Sequence, residues 1–327
     1  MKKYKIVLLG YYGFGNLGDE LLLKSCIEFL ISSGIDRKKI IVLSNDPDNT
    51  QKIFNIDSVS RWKFHKVINI FKQSEALILG GGGLFQDSSS VKSCLWYWFI
   101  MWLAKYYGLK IFALGQSIGP LKTSAGKYLT QRAFNLCDLV HVRDDLSFEI
   151  AKSFKLNSRV ILGSDLVMML KPEILNNKRD KFLLNLRPCK NINDFINLIV
   201  PDINNFENIT GVALSNDDEK ILKKSANKIN FDEIIRVKNF KDACSLWNSA
   251  YSGIGMRLHF GILSRMFKIP VAMIPYDPKV SEFARISRIP IITEKFREPV
   301  QPLNIPSGIN NYLKSFMIKF ANGQASN

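Results

Sequence analysis

The stretch Tyr251–Met266, YSGIGMRLHFGILSRM, joins the end of a predicted strand to the start of a predicted helix. Apolar residues recur from Leu258 onward with the spacing of one buried helix face. Two glycines precede the helix, so a ligand can approach the backbone closely. A helix N-terminus attracts anions, and Arg257 and His259 add a guanidinium and a titratable imidazole. The stretch predicts a site for a small anion; the alternative is a surface arginine and a core histidine on an ordinary packing helix.

Strand and helix signals alternate along most of the chain on both sides of this stretch. Short β-rich apolar runs separated by helices predict parallel sheets with right-handed crossovers. The pattern lapses between Gly163 and Asp180, where we place a domain boundary. We therefore predict an α/β fold of two Rossmann-like, doubly wound domains, residues 1–170 and 171–327. Ligands of such folds bind at the strand ends, here in a cleft across which the domains face each other.

A glycine loop follows the first predicted strand, at Gly10–Glu20. It contains G-x-G-x-x-G, the dinucleotide fingerprint. Asp19 and Glu20 would oppose a pyrophosphate, and no acidic residue stands at the usual distance downstream. Together with Gly15 and Asn16, these carboxylates suit sugar hydroxyl groups better. The alternative is that Asp19 merely caps the helix.

Two more glycine-rich segments, predicted as loops, follow strands of the first domain. Gly82 and Gly83 belong to the run Gly80–Gly83, and Gln116 lies in the turn Gly115–Pro120. Each signal is weak alone, since glycine turns also serve tight packing. Three such segments at the carboxyl ends of strands predict a polar acceptor site with little positive charge.

The second domain supplies positive charge at the ends of its predicted strands. Arg187 ends one strand, and it would bracket one anion with Arg257 if their strands are neighbours. Lys279, in a loop that leads into a helix, would add a third positive contact. The alternatives are a surface ion pair for Arg187 and a helix cap for Asp277. A further strand is predicted at Ile289–Ile292.

The chain has 327 residues, of which 46% are hydrophobic and 23% charged, as in ordinary globular proteins. Its net charge of +16 predicts attraction to polyanions. The basic residues are scattered, and no aromatic-basic motif of an RNA-binding module occurs, so we expect no nucleic-acid partner. An anionic membrane surface or a phosphorylated substrate remains open.

Five cysteines at irregular spacing predict neither a disulfide scaffold nor a metal site, and we expect no metal. Reduced thiols and the short N-terminal apolar run are typical of a cytoplasmic protein. The segment 95–104, LWYWFIMWLA, is too short to span a bilayer. It is predicted to be either a core helix or a helix whose aromatic side contacts a membrane surface.

The ordered set of motifs resembles the polysaccharide pyruvyl transferase family from about Lys5 to Phe283. The motifs are GYYGFGNLGDELLL (10–23), LILGGGGLFQD (77–87), LGQSIGP (114–120), NLRP (185–188), GMRLHFGI (255–262) and PYDPKV (275–280). The resemblance implies a fold similar to GT-B glycosyltransferases. It also implies transfer of pyruvate from phosphoenolpyruvate, a co-substrate, to two sugar hydroxyls as a ketal, with no cofactor. By this match, Arg257, Leu258 and His259 bind the donor, with Arg257 and His259 catalytic and Arg187 a further donor ligand.

The resemblance implies that the acceptor is a cell-surface glycan or its polyprenyl-diphosphate-linked precursor. An enzyme with such an acceptor would work in the cytoplasm, with the inner face of the membrane as a peripheral location. Two alternatives stay open: a nucleotide-sugar glycosyltransferase of GT-B fold, and a non-catalytic dinucleotide-binding Rossmann protein. The sequence does not identify the acceptor sugar. It is compatible with a monomer and with a homo-oligomer.

Overall fold

The computed structural model describes residues 2–88, 90–175, 178–303 and 311–324. The chain divides into two compact units. Unit 1 comprises Met1–Phe14, Asp19–Leu170 and Ser307–Asn327; unit 2 comprises Gly15–Gly18 and Lys171–Pro306.

Unit 1 contains a seven-stranded sheet whose neighbouring strands are all parallel. Its strands are β1 (Ile6–Leu9), β2 (Ile40–Ser44), β3 (Asp57–Ser60), β4 (Ala76–Phe85), β5 (Lys110–Ile118), β6 (Leu139–Val142) and β7 (Arg159–Leu162). Their order is β3-β2-β1-β4-β5-β6-β7. The order reverses between β1 and β4, which is where doubly wound sheets bind ligands.

Helices cover both faces of this sheet. They are α1 (Leu17–Ser32), α2 (Pro47–Phe54), α3 (Phe64–Lys72), α4 (Lys92–Tyr106), α5 (Ser124–Phe134), α6 (Asp145–Ser153) and the C-terminal α12 (Asn311–Ala321). Helices α3 to α6 share one hydrophobic core with alternate residues of the strands, such as Val7 and Leu9. Helix α12 packs on the opposite face, where Phe316 and Phe320 contact Phe112 of β5.

Unit 2 contains a five-stranded parallel sheet in the order β10-β9-β8-β11-β12. Its strands are β8 (Lys181–Asn185), β9 (Ile209–Ala213), β10 (Glu233–Arg236), β11 (Ala250–Gly255) and β12 (Val271–Met273). Its helices are α7 (Ile192–Ile203), α8 (Asn216–Ser225), α9 (Phe240–Asn248), α10 (Leu258–Met266) and α11 (Pro278–Ser287). The strand order reverses between β8 and β11. Two parallel α/β sheets confirm the predicted fold class.

Three local predictions were wrong. Gly80–Gly83 and Gly115 lie within β4 and β5, because these strands continue past the glycines instead of ending at them. Positive φ at Gly81, Gly82 and Gly115 bends the strands there, a conformation that side chains rarely adopt. Ile289–Ile292 forms no strand; only Ile291 makes an isolated bridge, to Met273.

The two compact units differ in two places from the predicted domains, residues 1–170 and 171–327. Residues 307–327 group with unit 1, because α12 buries Leu313, Met317 and Phe320. Gly15–Gly18 group with unit 2, although both flanking segments belong to unit 1.

None of the helices in the described ranges is both long and apolar enough to cross a membrane. The tryptophan-rich helix α4 is buried on one side only. Its residues Tyr97, Ile100 and Met101 are buried in the core, while Leu95 and Trp102 are exposed.

Candidate functional site

The candidate site of unit 2 lies where its strand order reverses. Strands β8 and β11 pair in parallel, with Gly255 opposite Asn185. Arg187 lies two residues after Asn185, and Arg257 lies two residues after Gly255. The strands that precede the two arginines are therefore neighbours, as the hypothesis of a shared anion required.

Arg257 is held by a buried carboxylate. Its Nη2 donates to Asp218 Oδ1 at 2.6 Å, and its Nε lies 3.1 Å from both carboxylate oxygens. Nη2 also donates to Ser215 Oγ at 2.8 Å. Asp218 is 0% exposed, so this bidentate pair is shielded from screening by solvent. The pair fixes the direction of the guanidinium before any ligand binds.

Asn185 fixes the backbone at the same point. The side chain, fully buried at the end of β8, accepts a hydrogen bond from the Arg257 N–H at 2.9 Å. Its Nδ2 donates to Val212 O at 2.8 Å. Arg257 is the residue before α10 and has extended backbone, so the helix N-terminus begins directly beyond this hydrogen bond. Leu258, the first helical residue, has a buried side chain. The group of Leu258 that could contact a ligand is therefore its backbone amide.

Arg187 is held by weaker contacts. Its guanidinium lies 3.9 Å from the ring centroid of Tyr276, and its Nε reaches Pro188 O only at 3.4 Å. Stacking on an aromatic ring orients an arginine while leaving most of its N–H groups directed elsewhere. Of the two arginines, Arg187 is thus the one whose hydrogen-bonding capacity is used less by the protein.

Lys279 does not provide an unopposed third positive charge. Its Nζ lies 3.4 Å from Asp277 Oδ2, and its N–H donates to Asp277 Oδ1 at 3.1 Å. Asp277 caps α11, as the alternative interpretation of the sequence held. The predicted contribution of Lys279 is therefore reduced by a carboxylate at close range.

His259 is the second residue of α10 and lies against the first glycine motif. A Cβ at Gly18 would be 2.1 Å from His259 Nδ1, so no side chain fits between this backbone and the imidazole. Leu17 N donates to Leu214 O at 2.8 Å, and Arg236 Nη2 donates to Gly15 O at 2.7 Å. These contacts explain why Gly15–Gly18 belong to unit 2.

The cap of α1 is Asn16 and not Asp19. Asn16 Oδ1 accepts a hydrogen bond from Gly18 N–H at 3.1 Å. Of the acceptor-site candidates, Gly15 and Asn16 therefore stand with His259 in unit 2. The other candidates, Asp19, Glu20, Gly82, Gly83 and Gln116, belong to unit 1.

In unit 1, two carboxylates stand at the reversal point between β1 and β4. Glu20 Oε1 accepts a hydrogen bond from Gly13 N–H at 2.8 Å. Burial, with the negative charges of Asp19 and Asp46 as smaller contributions, raises the pKa of Glu20 to about 7. A Cβ at Gly82 would lie 3.4 Å from Asp19 Oδ1, so a larger residue there would crowd the carboxylate.

Gln116 is fully buried in β5. Its Nε2 donates to Leu79 O and Leu114 O, both at 3.2 Å. Its Oε1 is buried and accepts no hydrogen bond from the residues that the structure describes. This arrangement is typical of a residue that ties two strands together, so the structure offers Gln116 a structural explanation beside the predicted one.

The sequence did not single out Asp218, Asn185 and Ser215, which together position Arg257. Asp218 lies in the run Asn216–Glu219, whose acidic residues have an ordinary explanation at a helix N-terminus. A signal was nevertheless present: Asn185 ends β8 on a buried amide, and buried polar side chains need partners.

The described parts of the chain contain no group of three or more His, Cys, Asp or Glu residues arranged to hold a metal ion.

A family model described as polysaccharide pyruvyl transferase matches residues 16–278. A search of curated protein sequences found no significant match.

Several solved structures share the fold at low sequence identity. S. aureus MnaA in complex with UDP is 12% identical, covers 90% of this chain and 84% of its own, and has a TM-score of 0.60. UDP-GlcNAc 2-epimerase from Methanocaldococcus jannaschii is 11% identical, covers 88% of each chain, and has a TM-score of 0.59. Anabaena HepE in complex with UDP-glucose is 12% identical, covers 83% of this chain and 80% of its own, and has a TM-score of 0.52. At these identities the likeness concerns the fold alone.

Proposed function

The chain belongs to the polysaccharide pyruvyl transferase family, and we propose that it transfers pyruvate from phosphoenolpyruvate to two hydroxyls of a sugar as a ketal. The observation that carries the proposal is the pairing of β8 with β11, which brings Arg187 and Arg257 to one sheet edge. His259 follows two residues after Arg257, within the matched region.

Phosphoenolpyruvate carries a phosphate and a carboxylate, and each can accept two parallel hydrogen bonds from a guanidinium. Arg257, already oriented by Asp218, offers a fixed positive group at the start of α10. Arg187, stacked on Tyr276, supplies the second one. The backbone amide of Leu258 adds a donor at the helix N-terminus. Lys279, opposed by Asp277, contributes long-range attraction more than a direct contact.

The reaction needs a proton on the methylene carbon of the donor. We assign its delivery to His259, because imidazole gives up and regains a proton near neutral pH. Protonation makes C2 electrophilic, and the first sugar hydroxyl attacks it and loses its proton, which restores the acid. The bond from C2 to the phosphate oxygen then breaks. The second hydroxyl closes the ketal, and its proton leaves with the released phosphate.

For the acceptor we propose a glycan or its polyprenyl-diphosphate-linked precursor, bound with the help of Asp19, Glu20, Gly82, Gly83 and Gln116 of unit 1. Carboxylates and amides hydrogen-bond sugar hydroxyls well. We assign Asp19 or Glu20 to orient the hydroxyls. The chemistry requires no metal and no cofactor beyond the co-substrate. A lipid-linked acceptor would place the reaction at the inner face of the membrane.

Calorimetric titration of the purified protein with phosphoenolpyruvate, UDP-sugars and NADH tests the donor. We expect saturable binding of phosphoenolpyruvate that weakens about 10- to 100-fold in Arg257→Ala, since hydrogen bonds to charged groups contribute about 1.5–3 kcal/mol. Arg285→Ala is the matched control, because Arg285 is a largely exposed arginine that pairs with Glu282 of its own helix. This control should bind like the wild type.

A nucleotide-sugar glycosyltransferase is the second candidate, because nucleotide-bound proteins share the fold. Binding of a UDP-sugar without any binding of phosphoenolpyruvate would replace the pyruvyl-transfer proposal by this one. Binding of NADH alone would favour a dinucleotide-binding protein.

A further inference from the structure

We propose that helices α3, α4 and α5 of unit 1 form a docking face for an anionic lipid bilayer. The proposal does not depend on the reaction that the protein catalyses. It rests on three properties of this face: its charge, its exposed rings and its position on one side of the sheet.

The face carries an excess of positive charge. None of the three helices contains Asp or Glu. Residues 61–137 contain ten Lys and Arg but only two acidic residues, Glu75 and Asp87. Glu75 pairs with Lys5, and the buried Asp87 accepts hydrogen bonds from the backbone of Lys122 and Thr123. This quarter of the chain thus carries half of the net charge of +16.

The basic side chains of this segment that are exposed to solvent lie in or beside the three helices. They are Lys63, Lys66, Lys72, Lys92, Lys105, Lys122, Lys127 and Arg132. Among them, Lys105 pairs with Asp138 at 3.0 Å. Each lysine near an anionic membrane surface contributes about 1 kcal/mol of attraction, so several act strongly together.

A ridge of aromatic rings, exposed except for the half-buried Phe99, runs from α3 along α4. Phe64 contacts Phe99 at 5.9 Å between ring centroids, Phe99 stacks with Trp102 at 6.1 Å, and Trp102 stacks with Tyr106 at 5.9 Å. Tyr106 is 71% exposed, Leu95 48% and Trp102 44%. A contiguous exposed patch of this kind marks an interaction surface, whereas single exposed apolar residues are ordinary.

Core packing explains only part of the ridge, because Phe99 is half-buried against the core whereas Leu95, Trp102 and Tyr106 are exposed. The opposite side of α4 supplies Tyr97, Ile100 and Met101 to the core, so the helix already fulfils its structural role. Residues 95, 99, 102 and 106 recur at helical spacing on the remaining side. Helix α4 is therefore apolar on two sides, and only one of them is buried.

The three helices belong to the same layer. Residues of α3, α4 and α5 share the core on one face of the sheet, while α12 packs on the other face against Phe112. Lysines and rings therefore act together on one side of unit 1.

Tryptophan and tyrosine favour the interface between membrane and water, where their rings lie among the head groups. A helix with such rings and flanking lysines lies in the plane of that interface. A protein partner would account for the rings but not for the complete absence of acidic residues from the three helices. These two properties together favour anionic lipid as the occupant.

Co-sedimentation with lipid vesicles tests the proposal on the full chain. We expect binding to vesicles of phosphatidylcholine with phosphatidylglycerol, and little binding to phosphatidylcholine alone. Lys63→Glu combined with Lys127→Glu should weaken binding at least about 25-fold, from roughly fivefold for each lysine. Lys224→Glu combined with Lys241→Glu is the matched control, since these exposed lysines lie in unit 2; it changes the net charge equally and should keep most of the binding.

The ring contribution is tested with Trp102→Ser and Tyr106→Ser, for which Ile174→Ser, an exposed apolar residue of unit 2, is the control. Brominated lipids should quench the tryptophan fluorescence of the wild type, and Trp102→Ser should lose most of that quenching. Thermal unfolding of each variant shows whether the fold is retained, and all these side chains are exposed.

Three results would overturn the proposal. The first is absence of binding to anionic vesicles. The second is equal weakening by the face variants and their unit 2 controls, which would mean attraction by net charge alone. The third is binding of another partner in place of vesicles. If the protein binds a single-stranded oligonucleotide but not vesicles, and the face variants abolish that binding, the face belongs to nucleic acid. If light scattering shows self-association that the face variants abolish, again without vesicle binding, the face belongs to a second copy of the chain.

Discussion

Arg257 and Asp218 form a bidentate ion pair, with Nη2 and Oδ1 2.6 Å apart and the carboxylate entirely buried. The residues are 39 positions apart in sequence and meet because α8 and α10 both begin at the carboxyl edge of the unit 2 sheet. The carboxylate of Asp218 therefore orients the arginine that we expect to bind the donor. The same carboxylate lowers the net positive charge at this position. Binding of a doubly charged anion thus benefits from a second arginine, Arg187.

We expect Asp218→Asn to weaken phosphoenolpyruvate binding about tenfold or more, because the guanidinium loses the bond that orients it. The free energy of unfolding should fall by about 2–3 kcal/mol, less than for a fully broken buried pair because asparagine still accepts hydrogen bonds. Asp217→Asn, at an exposed neighbour that pairs with Lys220, is the control and should change stability by less than about 1 kcal/mol. Tighter binding by Asp218→Asn would show that the carboxylate mainly competes with the donor.

Gly18→Ala should lower kcat at least tenfold with little change in secondary structure. The added Cβ would lie 2.1 Å from His259 Nδ1, so the imidazole must turn away. A misplaced acid loses most of a contribution that is typically 100- to 10,000-fold.

The control for this variant is Gly108→Ala. Its Cβ would meet nothing within 4 Å, but its backbone has φ +76°. It should therefore lose about 1 kcal/mol of stability and retain full activity. Full activity in Gly18→Ala as well would contradict a role for His259 in proton transfer.

The raised pKa of Glu20 predicts a specific pH dependence of stability. The folded-state pKa of about 7 exceeds the ordinary value of 4.5. Between pH 4.5 and pH 7, the Glu20 carboxyl is therefore protonated in the folded protein but ionised in the unfolded chain. The stabilisation is therefore complete below pH 4.5 and is lost as the pH rises to about 7. The wild type should lose about 3 kcal/mol over this interval relative to Glu20→Gln, which keeps an acceptor for Gly13 N–H. Urea titrations of both proteins at pH 4.5, 6 and 8 measure the difference; parallel curves would be inconsistent with a perturbed carboxyl.

Thiol labelling checks the fold directly. Cys26, Cys94 and Cys137 are buried, and burial raises the pKa of Cys26 to about 12, so its reactive thiolate is scarce. Cys189 and Cys244 are half-buried. A disulfide reagent followed by mass spectrometry should label these two in the native protein and all five in denaturant. Early labelling of Cys26 would be incompatible with the sheet of unit 1 as described.

Apolar runs such as Ile6–Leu9 and Ile40–Ser44 made the central strands predictable, because strands buried on both faces need continuous apolar sequence. Strand β3, DSVS, lies at the sheet edge with one apolar residue and leaves no such signal. The glycines of β4 indicated a loop, since a positive φ inside a strand cannot be read from composition. Ile289–Ile292 had the composition of a strand but lacks the ladder of hydrogen bonds that defines one.

The candidate site was predictable where it depends on strand ends, as for Arg187 and Arg257. It was not predictable where it depends on contacts distant in sequence, as for Asp218 with Arg257 or Gly18 with His259. For Lys279 the sequence revealed the charge, whereas its contact with Asp277 depends on side-chain geometry.

The place of α12 has a consequence for how the protein folds during its synthesis on the ribosome. The last strand of unit 1 ends at Leu162, but the helix that covers Phe112 begins only at Asn311. At about 5–20 residues per second, ribosomes need roughly 7–30 s to add the intervening chain. During that interval the part of the sheet around Phe112 lacks its covering helix, so the nascent chain has a window in which chaperones or wrong partners can bind there. Unit 1 therefore lacks one of its covering helices until Asn311–Ala321 has been made, although its strand β1 is synthesised about 300 residues earlier.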